Sequence, residues 1–178
     1  MANIQKKYIG LLGGSFDPAH KGHLRISKIA IKKFTLKKIY WVVTKKNPFK
    51  NKAFYSLEER IKYAKKITKA QKRIQIIHLD NIVKSSRIID VINYFIKKRK
   101  NKNIFFIIGS DNLIRFHKWK SWKKIVKIVK LIVFSRKGYD KKGMKSIVVR
   151  NFKNKIIFIK NKPITISSTQ LKSQKNIK

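Results

Sequence analysis

Residues 8–23 read Tyr8-Ile9-Gly10-Leu11-Leu12-Gly13-Gly14-Ser15-Phe16-Asp17-Pro18-Ala19-His20-Lys21-Gly22-His23. The apolar run from Tyr8 to Leu12, closed by Gly13-Gly14, predicts a short buried strand that ends in a tight turn. Beyond it, Leu24, Ile26, Ile29, Ala30 and Ile31 recur at mainly helical spacing, so a helix follows from near Lys21 to Phe34. The unpaired N–H groups and positive dipole end of that helix face the strand terminus, which makes an anion site. His20 and His23 are three residues apart and share a face of the first turn. Two imidazoles at such a place suit the phosphates of a nucleotide. Gly22 keeps the gap between them open, and Gly13 and Gly14 let backbone approach a ligand closely. There is no GxxxxGK[ST] loop.

The same grammar repeats along the chain. Ile39 to Val43, Ile74 to Leu79, Ile104 to Ile108, Leu131 to Phe134 and Ile156 to Ile159 read as further strands. Ser56-Leu57-Glu58-Glu59 is a capping box that opens a helix, and Ile88 to Lys98 reads as another. Short, continuously apolar strands alternating with helices indicate an α/β fold, a Rossmann-like open parallel sheet with helices on both faces. Ligands in such sheets bind outside the carboxyl ends of the strands. No repeat, linker or boundary divides the chain, so residues 1–178 form a single domain.

The composition narrows the classes. The chain has 178 residues, 43% of them hydrophobic, enough for one core. With no cysteine, disulfides and thiolate metal sites are excluded. No signal peptide is read at the N-terminus, and no apolar run approaches the roughly 18 residues of a membrane helix, so a soluble, cytoplasmic protein is expected. Lys and Arg number 47 against 7 Asp and Glu, a net charge of +40. Such a field attracts nucleic acid and phosphorylated metabolites alike. The charge is mostly Lys, scattered with abundant Ile and Asn, which favours compositional drift over a dedicated nucleic-acid face. A chain this poor in carboxylates keeps Asp17, Glu58, Glu59, Asp80, Asp90, Asp111 and Asp140 either for salt bridges or for a site.

The string from Gly14 to His23 resembles the GxFDPxHxGH signature of the HxGH nucleotidylyltransferase superfamily at every defined position. The resemblance implies transfer of a nucleotidyl group with release of pyrophosphate. Ile166-Ser167-Ser168-Thr169-Gln170-Leu171-Lys172 is similar to the superfamily's ISSTxIR element, which binds ATP phosphates. Gly109-Ser110-Asp111-Asn112, followed by Phe116-His117-Lys118-Trp119-Lys120-Ser121-Trp122, resembles the G[AS]DN…FHxWxxW segment of the nicotinate-nucleotide adenylyltransferase family. There the acid lies on the adenosine side, and the aromatic matching Trp119 stacks on the nicotinate ring, with a cation–π contribution. Residues 41–50, WVVTKKNPFK, resemble the family's NPxK loop, which puts Lys50 within reach of a phosphate. Ser135-Arg136-Lys137-Gly138-Tyr139 resembles RPGY, which implies that Arg136 contacts the mononucleotide phosphate.

The resemblance thus implies an enzyme that joins ATP to nicotinate mononucleotide in NAD biosynthesis. Its catalytic residues are His20 and His23. ATP is bound by Gly13, Gly14, Ser15, Phe16, His20, His23, Gly109, Asp111, Ser167, Ser168, Thr169 and Lys172. The mononucleotide is bound by Lys50, Trp119 and Arg136. No resident protein-bound metal is expected; Mg²⁺ would travel with ATP, held mainly by phosphate oxygens. Neither a membrane nor a specific nucleic acid is an expected partner, and oligomeric state is left open. Three departures from the family stand out: Lys172 replaces Arg, Ile88 and Val91 replace the Thr residues of a TxDT-like pattern, and the sequence stops soon after the ISSTxIR-like element. Sister enzymes acting on nicotinamide mononucleotide or phosphopantetheine remain as alternatives, as does a basic nucleic-acid-binding protein. The role of Asp17, in the turn or behind the site, is undecided.

Overall fold

A computed structural model of the chain describes residues 8–45, 53–98, 100 and 102–161. Lys50, Ser167, Ser168, Thr169 and Lys172 lie outside the described residues. The strands are β1 (Ile9–Gly14), β2 (Lys38–Val43), β3 (Ile74–Ile77), β4 (Ile104–Gly109), β5 (Lys130–Phe134) and β6 (Ile156–Ile159). They form one six-stranded sheet in the order β3-β2-β1-β4-β5-β6. Every neighbouring pair is parallel. This is the Rossmann-like order, and its direction reverses between β1 and β4.

Successive residues of a strand point to opposite faces, which explains the continuously apolar runs. Leu11, Val42, Phe106, Ile108, Leu131 and Val133 belong to one core cluster. Leu12, Trp41, Val43, Ile107, Ile132 and Phe134 belong to the other. Helices cover both. α1 (Lys21–Lys33) and α2 (Leu57–Thr68) contribute Ala30, Ile31 and Ala64 to the second cluster. After β3, a short α3 (Asp80–Val83) leads to α4 (Ile88–Lys97), which brings Ile89, Val91, Ile92 and Phe95 to the first. α5 (Ser110–Arg115), a 3₁₀ turn (Phe116–Lys118) and α6 (Trp122–Ile128) connect β4 to β5. α7 (Asp140–Met144) and α8 (Ile147–Phe152) connect β5 to β6.

The expected strands and the three longer helices are all present, with ends shifted by one or two residues. α3 and α5–α8 were not anticipated: each has seven residues or fewer, too short to display a helical period. None of the described helices is long and apolar enough to cross a membrane.

Close packing at the sheet centre is sharpest at Gly10 on β1. A Cβ there would stand 2.9 Å from Ile39 Cγ1, 3.0 Å from Ile107 Cδ1 and 3.1 Å from Leu36 Cδ1. All three side chains are buried. Overpacking of this kind costs about 1–3 kcal/mol. Gly10→Ala should lower the denaturant midpoint with an unchanged m-value; an unaltered midpoint would show that the sheet centre has slack.

Candidate nucleotide-binding site

The crevice at the reversal point is bordered by the ends of β1 and β4, and most of the described candidate residues gather around it. α1 begins immediately after the β1 loop, with His20 as its N-cap. Nδ1 of His20 accepts from the N–H of Gly22 at 3.1 Å. The N–H of His20 in turn donates to Nδ1 of His23 at 3.2 Å. This is a reciprocal capping box with imidazoles in the places where Ser and Glu usually stand. It alters the sequence expectation in one respect. The Gly22 N–H is engaged by His20 rather than offered to a ligand, and His20 precedes the helix instead of sharing its first turn.

The box also fixes proton positions. A ring nitrogen that accepts from a backbone N–H carries no proton, so each neutral imidazole holds its hydrogen on Nε2. Both histidines are therefore Nε2–H donors. Their rings lie 3.9 Å apart, centroid to centroid.

Phe16 shapes the turn in front of them. Its φ of +47° is in the left-handed region, a conformation that costs a bulky residue about 1–3 kcal/mol. The turn lets the ring tuck under His23, with centroids 4.9 Å apart. Gly13 and Gly14 have no such internal need. A Cβ at either would meet its nearest neighbour at 3.6 Å, an ordinary contact: Ile88 Cδ1 at Gly13, the Phe16 ring at Gly14. Ile88, one of the departures from the TxDT-like pattern, thus flanks the end of β1. Val91, the other, is fully buried in the core.

Asp17 turns out to be a brace. It is buried, and its two oxygens accept from the N–H groups of Phe54 and Tyr55, both at 3.0 Å. Beside it stands Arg60, 2% exposed, which the sequence reading did not single out. Its Nη1 donates to the carbonyls of Ser15 at 2.6 Å and Thr44 at 2.8 Å. Its Nε reaches Tyr55 and Ser56, both at 3.2 Å. One guanidinium thus ties the loops after β1 and β2 to the start of α2. Burial lowers its pKa, while Asp17, Asp80 and Glu58 pull it back up. The available signal was an Arg in a helix whose other basic residues are all Lys: only a planar fork of donors serves several carbonyls at once. Asp80 is a third brace, accepting from the Lys45 N–H at 2.8 Å and from the Ser86 hydroxyl.

Across the crevice, Asp111 and Arg136, assigned by resemblance to different substrates, are joined to each other. Arg136 Nη1 lies 2.6 Å from Asp111 Oδ2. Asp111 Oδ1 is buried without a hydrogen-bond partner among the described residues. Gly109 makes room for it, since a Cβ there would overlap this oxygen. Trp119 is half-buried, its ring stacked on Phe116 at 5.0 Å and edge-on to Phe106 at 5.9 Å. Part of it therefore serves the core.

Asp140, at the first position of α7, was also missed as a structural hub. It accepts from the Ser110 hydroxyl at 2.6 Å, the Arg136 N–H at 3.0 Å and the Ser135 hydroxyl. Partial burial raises its pKa, but the hydrogen bonds from Ser110, Ser135 and Arg136, helped by Lys160, outweigh this, and the carboxyl titrates below its usual value. A depressed folded pKa stabilises the fold above the unfolded value near 3.8. That contribution disappears as pH falls through the folded value. Asp140→Asn should therefore melt below the parent protein at pH 7, with the gap closing below pH 3.8. A gap that persists undiminished in acid would mean that the carboxylate charge is not what holds Ser110, Ser135 and Arg136.

Comparison with known proteins agrees with this geometry. The model of the cytidylyltransferase-like family matches residues 11–174. The chain is 50% identical over 171 residues to the Pelagibacter ubique protein named "Probable nicotinate-nucleotide adenylyltransferase", covering 96% of this chain and 94% of that one. An Endomicrobium trichonymphae protein of the same name is 30% identical over 167 residues, covering 92% and 83%. Among solved structures, Plasmodium falciparum nicotinic acid mononucleotide adenylyltransferase complexed with NaAD superposes with a TM-score of 0.72 at 19% identity, covering 94% of this chain and 83% of that one. The braced crevice, the histidine-capped helix and these relatives converge: the chain belongs to the cytidylyltransferase-like family and, within it, to the nicotinate-nucleotide adenylyltransferases.

Proposed function

We propose that the chain transfers the adenylyl group of ATP to nicotinate mononucleotide, giving nicotinate adenine dinucleotide and pyrophosphate. The observation that carries the chemistry is the pair of Nε2–H imidazoles fixed by the capping box at the reversal point of the sheet. A phosphate oxygen of the mononucleotide attacks the α-phosphorus of ATP. The bond from that phosphorus to the oxygen bridging to the β-phosphate breaks, and pyrophosphate leaves with the electron pair. The attacking phosphate is already ionised at neutral pH, so no enzymic base is required. Catalysis comes from alignment and from donors aimed at developing charge. His20 and His23 are assigned that charge.

Gly13, Gly14, Ser15 and Phe16 are assigned to ATP, as are Gly109 and Asp111. A Cβ at Gly13 would make only ordinary contacts with the protein, which supports reserving that space for the nucleotide. Ser167, Ser168, Thr169 and Lys172 are proposed for the ATP phosphates on the motif alone. Lys50, Trp119 and Arg136 are assigned to the mononucleotide. Arg136 is half exposed and engages Asp111 through Nη1 only, so the rest of its guanidinium suits a phosphate. Mg²⁺ is proposed to enter with ATP, where it would offset phosphate charge. The carboxylate chemistry fits that role, since Asp17 and Asp140 use both oxygens as hydrogen-bond acceptors. No cluster of metal-ligating side chains occurs among the described residues.

The test is pyrophosphate release from ATP and Mg²⁺ with nicotinate mononucleotide, nicotinamide mononucleotide or phosphopantetheine as acceptor. Strong preference for the first is expected, and preference for another would overturn the substrate. His23→Ala should lower kcat roughly 10²–10³-fold with the fold intact, the usual loss for one such donor; near-normal turnover would reject the assignment. Gly13→Ala should melt close to the parent yet bind ATP at least about tenfold more weakly, since a methyl would stand where the ligand approaches. Equal affinity in a calorimetric titration would remove Gly13 from the site.

A further inference from the structure

Trp41 belongs to β2, not to the turn that carries the histidines, yet that turn rests on it. The indole is fully buried. It stacks on Phe16, with centroids 5.0 Å apart and planes 11° from parallel. It also meets the His23 ring edge-on at 5.9 Å. A buried indole N–H requires an acceptor, and Nε1 donates to Ser27 Oγ at 2.8 Å. Ser27, itself fully buried on α1, donates its hydroxyl proton to the carbonyl of His23 at 2.8 Å. A serine in a helix often bonds back to the carbonyl four residues earlier, but its hydroxyl can rotate. Here the indole N–H occupies one side of Oγ and leaves the hydroxyl proton directed at His23.

His23 is consequently held at three places. The His20 N–H fixes Nδ1, Phe16 and Trp41 flank the ring, and Ser27 fixes the carbonyl. We propose that Trp41 and Ser27 are positioning residues of the transfer reaction: the indole–hydroxyl–carbonyl chain sets the orientation of the His23 imidazole and so aims its Nε2–H. This rests on the reading of His23 as the donor to developing phosphate charge. Neither residue touches substrate in this scheme; both act through His23.

The experiment uses the full chain and compares Trp41→Phe, Ser27→Ala and the double variant with His23→Ala. Trp41→Phe keeps a ring against Phe16 and His23 while removing the donor. Ser27→Ala deletes one atom and serves if Trp41→Phe fails to fold. Each folded single variant should lose roughly tenfold to a hundredfold in kcat, the scale of a small misplacement, with KM for both substrates unchanged. The double variant should be no slower than the slower single, because both break one chain. Long-range ¹⁵N–¹H spectra should report the Nε2–H form of His23 in the parent and shifted or broadened His23 ring signals in both singles. A purely structural role would lower the melting temperature without moving the His23 signals. Single variants with parental kcat and parental His23 signals, beside an inactive His23→Ala, would overturn the relay and leave His23 in its role. An active His23→Ala would overturn the role itself, and the relay with it.

Discussion

Backbone groups at the carboxyl ends of parallel strands leave the ladder and must find partners within the loops that follow. Arg60 is where that demand converges. Carbonyls from the ends of two strands and from the approach to α2 all point at one buried guanidinium. The guanidinium itself is buried, and a carbonyl that lost the fork and found no water would carry a desolvation cost of about 1–3 kcal/mol. A guanidinium keeps its charge at neutral pH even when burial lowers its pKa, and Asp17 and Asp80 counter part of that burial. Asp17 in turn holds the amides of Phe54 and Tyr55. The crevice is thus a consequence of how these loops are tied.

The scarcity of acids takes its meaning from that tying. In a chain with 7 carboxylates against 47 cations, indiscriminate salt bridging would be easy. Instead, Asp17, Asp80 and Asp140 accept from backbone N–H groups and hydroxyls. Asp111 takes the guanidinium of Arg136. These four acids follow β1, β3, β5 and β4 respectively. A carboxylate engaged by protein donors rigidifies a loop; Asp17 and Asp140 use both oxygens in this way, and Asp80 uses Oδ2. The Asp111–Arg136 pair is half exposed on the Arg side, and Asp111 Oδ1, like Asp80 Oδ1, is buried without a hydrogen-bond partner among the described residues.

The fold and the histidine turn were legible because their signals are local. Five apolar residues before a glycine, a Ser-x-x-Glu box and a run such as Phe16-Asp17-Pro18 keep their causes within a few positions of one another. The braces were not legible. Arg60 meets Ser15 across 45 residues and Asp140 meets Ser110 across 30, so no window of sequence contains both partners. His20 illustrates a subtler gap. Its place beside the helix could be read, but whether its ring faced a ligand or the helix's own Gly22 N–H depended on one backbone torsion at the cap. Trp119 was ambiguous between core and ligand for a related reason: a large indole can stack on Phe116 while the residue stays only half-buried.

On the proposed assignment of His20 and His23, the charge of +40 and the two histidines act on different parts of the reaction. Dispersed surface lysines create a long-range field that raises the encounter rate of any anion. ATP, the mononucleotide, the dinucleotide product and pyrophosphate are all anions, so that field favours free substrates and products alike. An interaction felt equally in the ground state and the transition state leaves kcat untouched. Salt screens this field beyond a Debye length, about 8 Å at physiological ionic strength. The imidazoles differ because their donors are fixed in direction by backbone amides and by buried aromatic rings. Only donors so fixed can favour the geometry of a phosphorus in transit over that of a bound phosphate. On that assignment, selectivity for the transition state comes from the capped turn, however strongly the rest of the surface attracts the substrates.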